Sequence, residues 1–297
     1  MSEQPITGVL VGYDGSEGST RALDWAAEDA RRRGLPLTML HSWDPRAGGL
    51  APMPAVDPRA NAQEILNAGV EHAREVASDL KPRAVLARAP AAARLIEASD
   101  RADLIVLGSR GTGGFAGLTL GSVGAQVVAH ASCPVVIVRG DRPHPERGPG
   151  DVVVGMDGSA ASQAALATAF AEADAQGLSV RALIAWDPIP AGELPPLVDE
   201  AGMRAAAEAR LAELMLPLRE RHPGVRAETE IVTGVPRQVL LDAAGKARLV
   251  VVGSRGLGGF RGLLLGSVSQ ALIHYAPCPV AVVHASAGGG VQDEERP

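Results

Sequence analysis

An internal repeat constrains the fold of this chain more than any other feature of it. "VLVGYDGSEGSTRALDWA", from Val9 to Ala26, returns as "VVVGMDGSAASQAALATA" from Val152 to Ala169. "SWDP" at Ser42 matches "AWDP" at Ala185, and "DLIVLGSRGTGGF" matches "RLVVVGSRGLGGF". "SCPVVIV" at Ser132 matches "PCPVAVV" at Pro277. The offset is 143 residues early in the repeat and 145 late, so the repeated unit is a whole domain. The expected organisation is a first domain over 1–140, a linker over 141–150, a second domain over 151–285 and a disordered tail over 286–297. "GDRPHPERGPG" has the Pro, Gly and charge of a linker, and "SAGGGVQDEERP" has the composition of a tail.

The pattern inside each copy sets the fold class. In the first copy, strands are expected at about 8–13, 36–42, 83–88, 103–108 and 134–138, and helices at about 16–33, 59–80, 90–100 and 120–131. "LIVLG" and "PVVIV" are apolar throughout and do not alternate, as strands covered on both faces are. Alternation of such strands with helices predicts an α/β fold, an open doubly wound parallel sheet in each domain. Ser16 follows the first strand as an expected N-cap, Gly34 ends the next helix, and Pro36 and Pro134 open strands. The Pro/Gly segment 44–59 and its counterpart "DPIPAGELPPLVD" lie at strand carboxyl ends, where ligands bind in such sheets or where insertions are tolerated.

Composition narrows the function. Apolar residues are 46% of the 297 and charged residues 21%, which suits a soluble globular chain. Aromatics are only 3%, so Ala, Val, Leu and Ile must build the cores. The net charge is -6 and no Lys/Arg cluster stands out, which argues against nucleic acid as a partner. No apolar run approaches the roughly 18 residues of a membrane span. The first residues lack a basic segment followed by an apolar one, and two cysteines make no disulfide framework. The cytoplasm is the expected compartment, with no membrane partner.

"GSRGTGGFAGLTLGS", Gly108 to Ser122, holds six glycines in fifteen residues and returns as "GSRGLGGFRGLLLGS", Gly253 to Ser267. Each loop runs from the end of the fourth strand to the start of the fourth helix. Backbone N–H groups at a helix N-terminus attract anions, glycines let an anion approach closely, and Ser122 and Ser267 add hydroxyls that also suit an N-cap. A tight β–α connection would use the same glycines. A P-loop would need Gly-Lys-Ser/Thr at its end, and a Rossmann fingerprint would follow the first strand; neither is present. The spacing Gly-x-x-Gly, nine residues, Gly-Ser holds in both copies: Gly108, Gly111, Gly121, Ser122 and Gly253, Gly256, Gly266, Ser267.

That skeleton, between "DLIVLGSRG" and "CPVVIV", resembles the nucleotide-binding branch of the universal stress protein family, in the tandem form common in actinobacteria. The resemblance covers nearly the whole chain. It implies two five-stranded parallel sheets of order 3-2-1-4-5, of the adenine nucleotide alpha hydrolase-like kind, with ligands where strands one and four end side by side. It implies ATP, with or without Mg²⁺, at one site per domain, with no metal site of the protein's own. At site one the resemblance places Asp14 by the ribose, Gly12 on the same rim and the backbone of Ser42 at the adenine. Its phosphate loop would comprise Gly108, Ser109, Arg110, Gly111, Thr112, Gly113, Gly114, Gly121, Ser122 and Val123. At site two the matching residues are Gly155, Asp157 and Ala185, then Gly253, Ser254, Arg255, Gly256, Leu257, Gly258, Gly259, Gly266, Ser267 and Val268. Read without the family, Asp14 also fits a turn-capping carboxylate ahead of Gly15-Ser16, but its recurrence as Asp157 at the same strand end favours a ligand role.

One departure stands out. Gly234 precedes Pro236 as the family pattern implies, but the first copy has Arg88 there, placed either to crowd site one or to reach a phosphate. No acidic pair marks a strong Mg²⁺ site, and His41 faces Ile184 across the repeat, so no shared catalytic base is evident. His130 and His274 are expected in packing or surface roles, Trp43 and Trp186 in packing near the adenine edge, and Cys133 and Cys278 as buried thiols. The expectation is therefore nucleotide binding with slow or no hydrolysis and no catalytic residues. The resemblance also implies a regulatory or protective role under stress or growth arrest, a homodimer, and an unidentified regulatory protein partner. A nucleotide-hydrolysing or nucleotidyl-transfer enzyme would need a strand-one signature such as S-G-G-x-D-S/T, where this chain has "YDGSEGS". A ligand-free stress protein is the other alternative. Apolar "PVVIV" and "PVAVV" would be open sheet edges, so the two domains are expected to pack there as a pseudo-dimer.

Overall fold

The computed structural model describes residues 5–43, 57–112, 119–139, 150–186, 200–257 and 264–285. The Pro/Gly segments after the second strands, most of the expected linker, the tail, and Gly113, Gly114, Gly258 and Gly259 lie outside them. The first half runs β1 (Val9–Gly12), α1 (Glu17–Arg33), β2 (Leu37–Ser42), α2 (Pro58–Val76), β3 (Arg83–Ala87), α3 (Ala91–Ala98), β4 (Leu104–Gly108), α4 (Ser122–His130) and β5 (Val135–Val138). The second half repeats it: β6 (Val152–Met156), α5 (Ala160–Gln176), β7 (Val180–Trp186), α6 (Glu200–Arg221), β8 (Ala227–Thr233), α7 (Pro236–Ala244), β9 (Leu249–Gly253), α8 (Ser267–Tyr275) and β10 (Val280–Val283).

Local chemistry sets the element ends. Ser16 and Ser159 cap α1 and α5 by accepting from the backbone N–H of Ser19 and Ser162. Gly34 and Gly177 close the same helices at φ 65°, in the left-handed region that a glycine enters without a Cβ clash. Helix α2 stops at Val76, short of the expected 80, where Ala77 leaves helical geometry. Gly121 and Gly266 are the N-caps of α4 and α8, which puts Ser122 and Ser267 at the first helical position instead of the cap. Their hydroxyls are thus not consumed in capping.

All ten strands form one sheet, in the order β3-β2-β1-β4-β5-β10-β9-β6-β7-β8. Each half is parallel and has the order 3-2-1-4-5. The halves join where β5 and β10 pair antiparallel, with Val136 opposite Ala281. The expected apolar edges therefore cover each other by direct strand pairing, and the antiparallel join makes the strands of the two halves run in opposite directions. The hydrophobic core follows the sheet across the boundary on both faces. One face packs Leu23, Leu66, Phe170 and Met215 from α1, α2, α5 and α6. The other packs Leu95, Val127, Leu240 and Leu272 from α3, α4, α7 and α8.

Near the middle of the sheet, α1 meets α5 and buries two acids. Asp29 and Glu172 occupy the same position of the repeat, and each is 1% exposed. Arg33 donates from Nε to Asp29 at 3.0 Å and pairs with Glu172 through its other nitrogen. The second half has Gln176 where the first has Arg33, and Gln176 donates to Glu172 at 3.2 Å. Burial first, and then the Asp29 carboxylate, push the Glu172 carboxyl up to about 8 against the pull of Arg33. Burial also raises Asp29, against Arg33 and a hydrogen bond shared with Glu172. Near neutral pH the Glu172 carboxyl therefore keeps its proton beside Asp29 and Arg33.

Candidate nucleotide sites

The order 3-2-1-4-5 parts the loops after strands one and four of each half, and a cavity opens at both switch points. The first cavity, about 530 Å³, is bounded by the ends of β1, β2 and β4 and the start of α4. The second, about 450 Å³, is its counterpart at β6, β7, β9 and α8.

Asp14 and Asp157 are the pivots. Asp14 Oδ1 accepts from the Ser16 backbone at 3.1 Å and from its hydroxyl at 2.6 Å, while Oδ2 accepts from the Thr112 N–H at 2.8 Å. Asp157 repeats this with Ser159 and with the Leu257 N–H at 2.9 Å. Burial works against each charge, but the Ser16 or Ser159 hydroxyl and the backbone donors outweigh it and hold both carboxyls below the ordinary aspartate range. The turn-capping reading of Asp14 is thus correct in part: the same carboxylate that caps the turn also clasps the glycine loop from across the cleft.

The glycines divide into two kinds. A Cβ on Gly111 would meet Asp14 Oδ2 at 2.2 Å, and one on Gly256 would meet Asp157 Oδ2 at 2.3 Å. On Gly108 it would strike the Gly18 backbone at 2.5 Å, and on Gly253 the Ala161 backbone at 2.9 Å. Gly12 lies against Leu107 and Gly155 against Leu240 in the same way, at 2.6 and 2.8 Å. These six keep the strand ends, helix starts and loops close. Gly121 and Gly266 differ, since among the described residues a Cβ there would find nothing nearer than 3.8 and 3.6 Å. Packing does not require them to be glycine. They leave the N-termini of α4 and α8 unobstructed, with the dipoles aimed into the cavities.

Of the residues expected at site one, Gly12, Asp14, Ser42, Gly108, Arg110, Gly111, Thr112, Gly121, Ser122 and Val123 line the cavity together. At site two Gly155, Asp157, Ala185, Gly253, Arg255, Gly256, Leu257, Gly266, Ser267 and Val268 do so. Ser109 and Ser254 do not line them. Their carbonyls accept from Gly121 and Gly266 at 2.8 Å, so they anchor the loop ends from behind. The sequence reading missed an apolar wall, Leu40, Leu95 and Leu107 in one cavity and Leu183, Leu240 and Val252 in the other. It also set aside His41, which lines the first cavity.

Among the described residues Arg88 neither lines the first cavity nor pairs with the glycine loop. It is exposed, and its guanidinium sits 5.6 Å from the Trp43 ring centre, a cation–π contact that Gly234 cannot make beside Trp186. His274 is likewise more than surface or packing: its Nδ1 hydrogen-bonds the hydroxyl of Thr119, in the last turn of the first glycine loop, across the join between halves. Among the described residues no cluster of three or more His, Cys, Asp or Glu could hold a metal, and no helix is long and apolar enough to cross a membrane.

Comparison with known proteins agrees with this architecture. The model of the universal stress protein family matches residues 6–139 and again 150–284. A universal stress protein of Mycobacterium bovis is 38% identical over 290 residues, covering 94% of this chain and 97% of its own length. Another, from Mycolicibacterium smegmatis, is 37% identical, covering 93% of this chain and 96% of its own. Among solved structures, a universal stress protein from Archaeoglobus fulgidus superposes with a TM-score of 0.68 over 94% of this chain and 98% of its own, at 23% identity. Two family matches in tandem that together span most of the chain, on a single sheet with a cavity at each switch point, establish that this chain belongs to the universal stress protein family.

Proposed function

We propose that each half of the chain, 1–140 and 151–285, binds one ATP, with or without Mg²⁺, and holds it with slow or no hydrolysis. The observation that carries this is the pairing of an unobstructed helix N-terminus, at Gly121-Ser122 or Gly266-Ser267, with a loop fixed in place by an aspartate. The polyphosphate would lie against the helix N-terminus and loop, with the ribose near Asp14 or Asp157 and the base at the end of β2 or β7. Cavities of about 530 and 450 Å³ suit a ligand of that size. The carboxylates nearest the phosphate loops are already engaged by Ser16 and Thr112, or Ser159 and Leu257, which favours holding a nucleotide over transferring its phosphate. The role proposed with it is nucleotide-linked regulation or protection in the cytoplasm under stress or growth arrest, by a homodimer acting on a protein partner.

The test is calorimetric titration of the full chain with ATP, beside Gly121→Trp and Gly266→Trp. Both glycines line the cavities, and among the described residues a Cβ there meets nothing nearer than 3.6 Å. The expected result is two sites in the parent chain and one in each variant, with unchanged circular dichroism. A folded parent chain that gives no heat with ATP overturns the reading. Release of AMP and pyrophosphate from ATP would favour the enzyme alternative.

A further inference from the structure

At their loop-and-helix ends the two cavities share Arg, Gly and Ser and differ by Thr112 against Leu257, and they differ more at the other end. Arg110, Gly121 and Ser122 have identical counterparts in Arg255, Gly266 and Ser267. At the end of β2, however, His41 and Ser42 line the first cavity, whereas Ile184 and Ala185 line the second at the same positions of β7. Two polar side chains have become two apolar ones, at matched register in matched strands.

Both polar groups are left with something to offer. The Ser42 Oγ is buried and has no hydrogen-bond partner among the described residues. A buried hydroxyl without a partner is costly, and because Ser42 lines the cavity, rotation of its side chain toward a ligand group would supply the missing bond. His41 Nδ1 lies 2.6 Å from the Tyr13 carbonyl oxygen. A carbonyl only accepts, so Nδ1 carries the proton, and in the neutral ring Nε2 is left as an acceptor. The first cavity therefore pairs an adaptable hydroxyl with a fixed acceptor where the second presents only hydrocarbon.

We infer that His41 and Ser42 make the first site selective for a base bearing an amino group on its edge, whereas the second site holds nucleotides with little regard to that group. This deepens the nucleotide reading above and rests on it. A 6-amino purine donates to His41 Nε2; a 6-oxo purine sets its O6 against that fixed acceptor and can be met only by the Ser42 hydroxyl, the kind of mismatch by which a hydrogen-bonding site disfavours an analogue. An apolar edge has no such means of rejection.

The experiment titrates the full chain with ATP and with inosine triphosphate, using Gly266→Trp to read the first site alone and Gly121→Trp to read the second. ATP should bind the first site about tenfold or more tightly than inosine triphosphate, and the second site within about threefold. Adding His41→Ile and Ser42→Ala to the Gly266→Trp chain should bring the first site's ratio to that of the second while retaining ATP binding. Equal ratios at both sites, or a ratio unmoved by those two substitutions, overturns the inference and leaves the nucleotide reading standing. Failure of both nucleotides to bind the folded parent chain, or two sites still filled in a tryptophan variant, overturns both.

Discussion

Replacing Glu172 by glutamine should stabilise the protein at alkaline pH and leave it nearly unchanged in mild acid. The folded chain holds the Glu172 carboxyl protonated up to about 8, from an ordinary value of 4.5, because of burial and the facing Asp29 carboxylate. The raised value means that the folded state binds more protons than the unfolded state between those limits. Stability from this group is complete below about 4.5, falls as pH rises through the window, and is lost above about 8. At about 1.4 kcal/mol per pH unit, the ceiling on that loss is on the order of 5 kcal/mol. Arg33, which faces both acids, and the more distant Arg32 and Asp103 share in the balance, so a few kcal/mol is the expected span. Glutamine keeps the shape of the protonated acid and can still donate to Asp29 and accept from Arg33. The assay is urea unfolding of the full chain at pH 5, 6.5 and 8, for the parent and Glu172→Gln. The gap between their midpoints should open in favour of the variant as pH rises. His274, held below its ordinary value by burial and by Arg139, titrates in both proteins alike and cancels in the difference. A gap of the same size at pH 5 and pH 8 would refute the protonated-Glu172 account of this interface.

Three further outcomes follow from the site and the core. Gly111→Ala places a methyl group 2.2 Å from Asp14 Oδ2, so the clasp to Thr112 should open, at a cost of about 1–2 kcal/mol in urea unfolding and about tenfold in ATP affinity at the first site; unchanged affinity would show that the clasp does not shape the site. Asp14 and Asp157 sit below the ordinary aspartate value, so their stability is complete above about 3.9 and is lost as pH falls through the depressed folded values. An Asp14→Asn, Asp157→Asn chain should accordingly show a shallower acid transition by circular dichroism. Cys133 is buried, and burial pushes its thiol up to about 12, so it should resist a thiol reagent in the native chain and react at once in urea.

Much of the fold was legible because the signals were local and repeated. Ser16, Gly34, Pro36 and the uninterrupted apolar strands each mark an element end or a buried strand by short-range chemistry, and the second copy says the same again. The strand order came from family resemblance, and the structure bears it out. Parts that depend on long-range geometry were not legible. Nothing in "PVVIV" specifies that it pairs antiparallel with its own repeat, since an apolar edge asks only to be covered. Asp29 and Glu172 read as ordinary charges on helices until the sheet brings α1 against α5. The glycine loops were legible as a skeleton but not in their division of labour, because only the coordinates distinguish glycines pressed against backbone from those facing open space. His41 was set aside for lacking a counterpart, although that lack is what makes the two cavities chemically different.

The antiparallel join between β5 and β10 has one more consequence. Strands of the two halves point in opposite directions, so the two cavity mouths open on opposite rims of the single sheet. A compact body seated over one mouth would leave the other uncovered. Helices α4 and α8 run between those rims: each begins at one mouth, and near its far end it is held by a residue just past the opposite half's last strand, Arg139 at the Ile273 carbonyl and His284 at the Val128 carbonyl. The molecule is thus two-ended, with one cavity mouth at each rim and each mouth tied by a helix to the last strand of the other half.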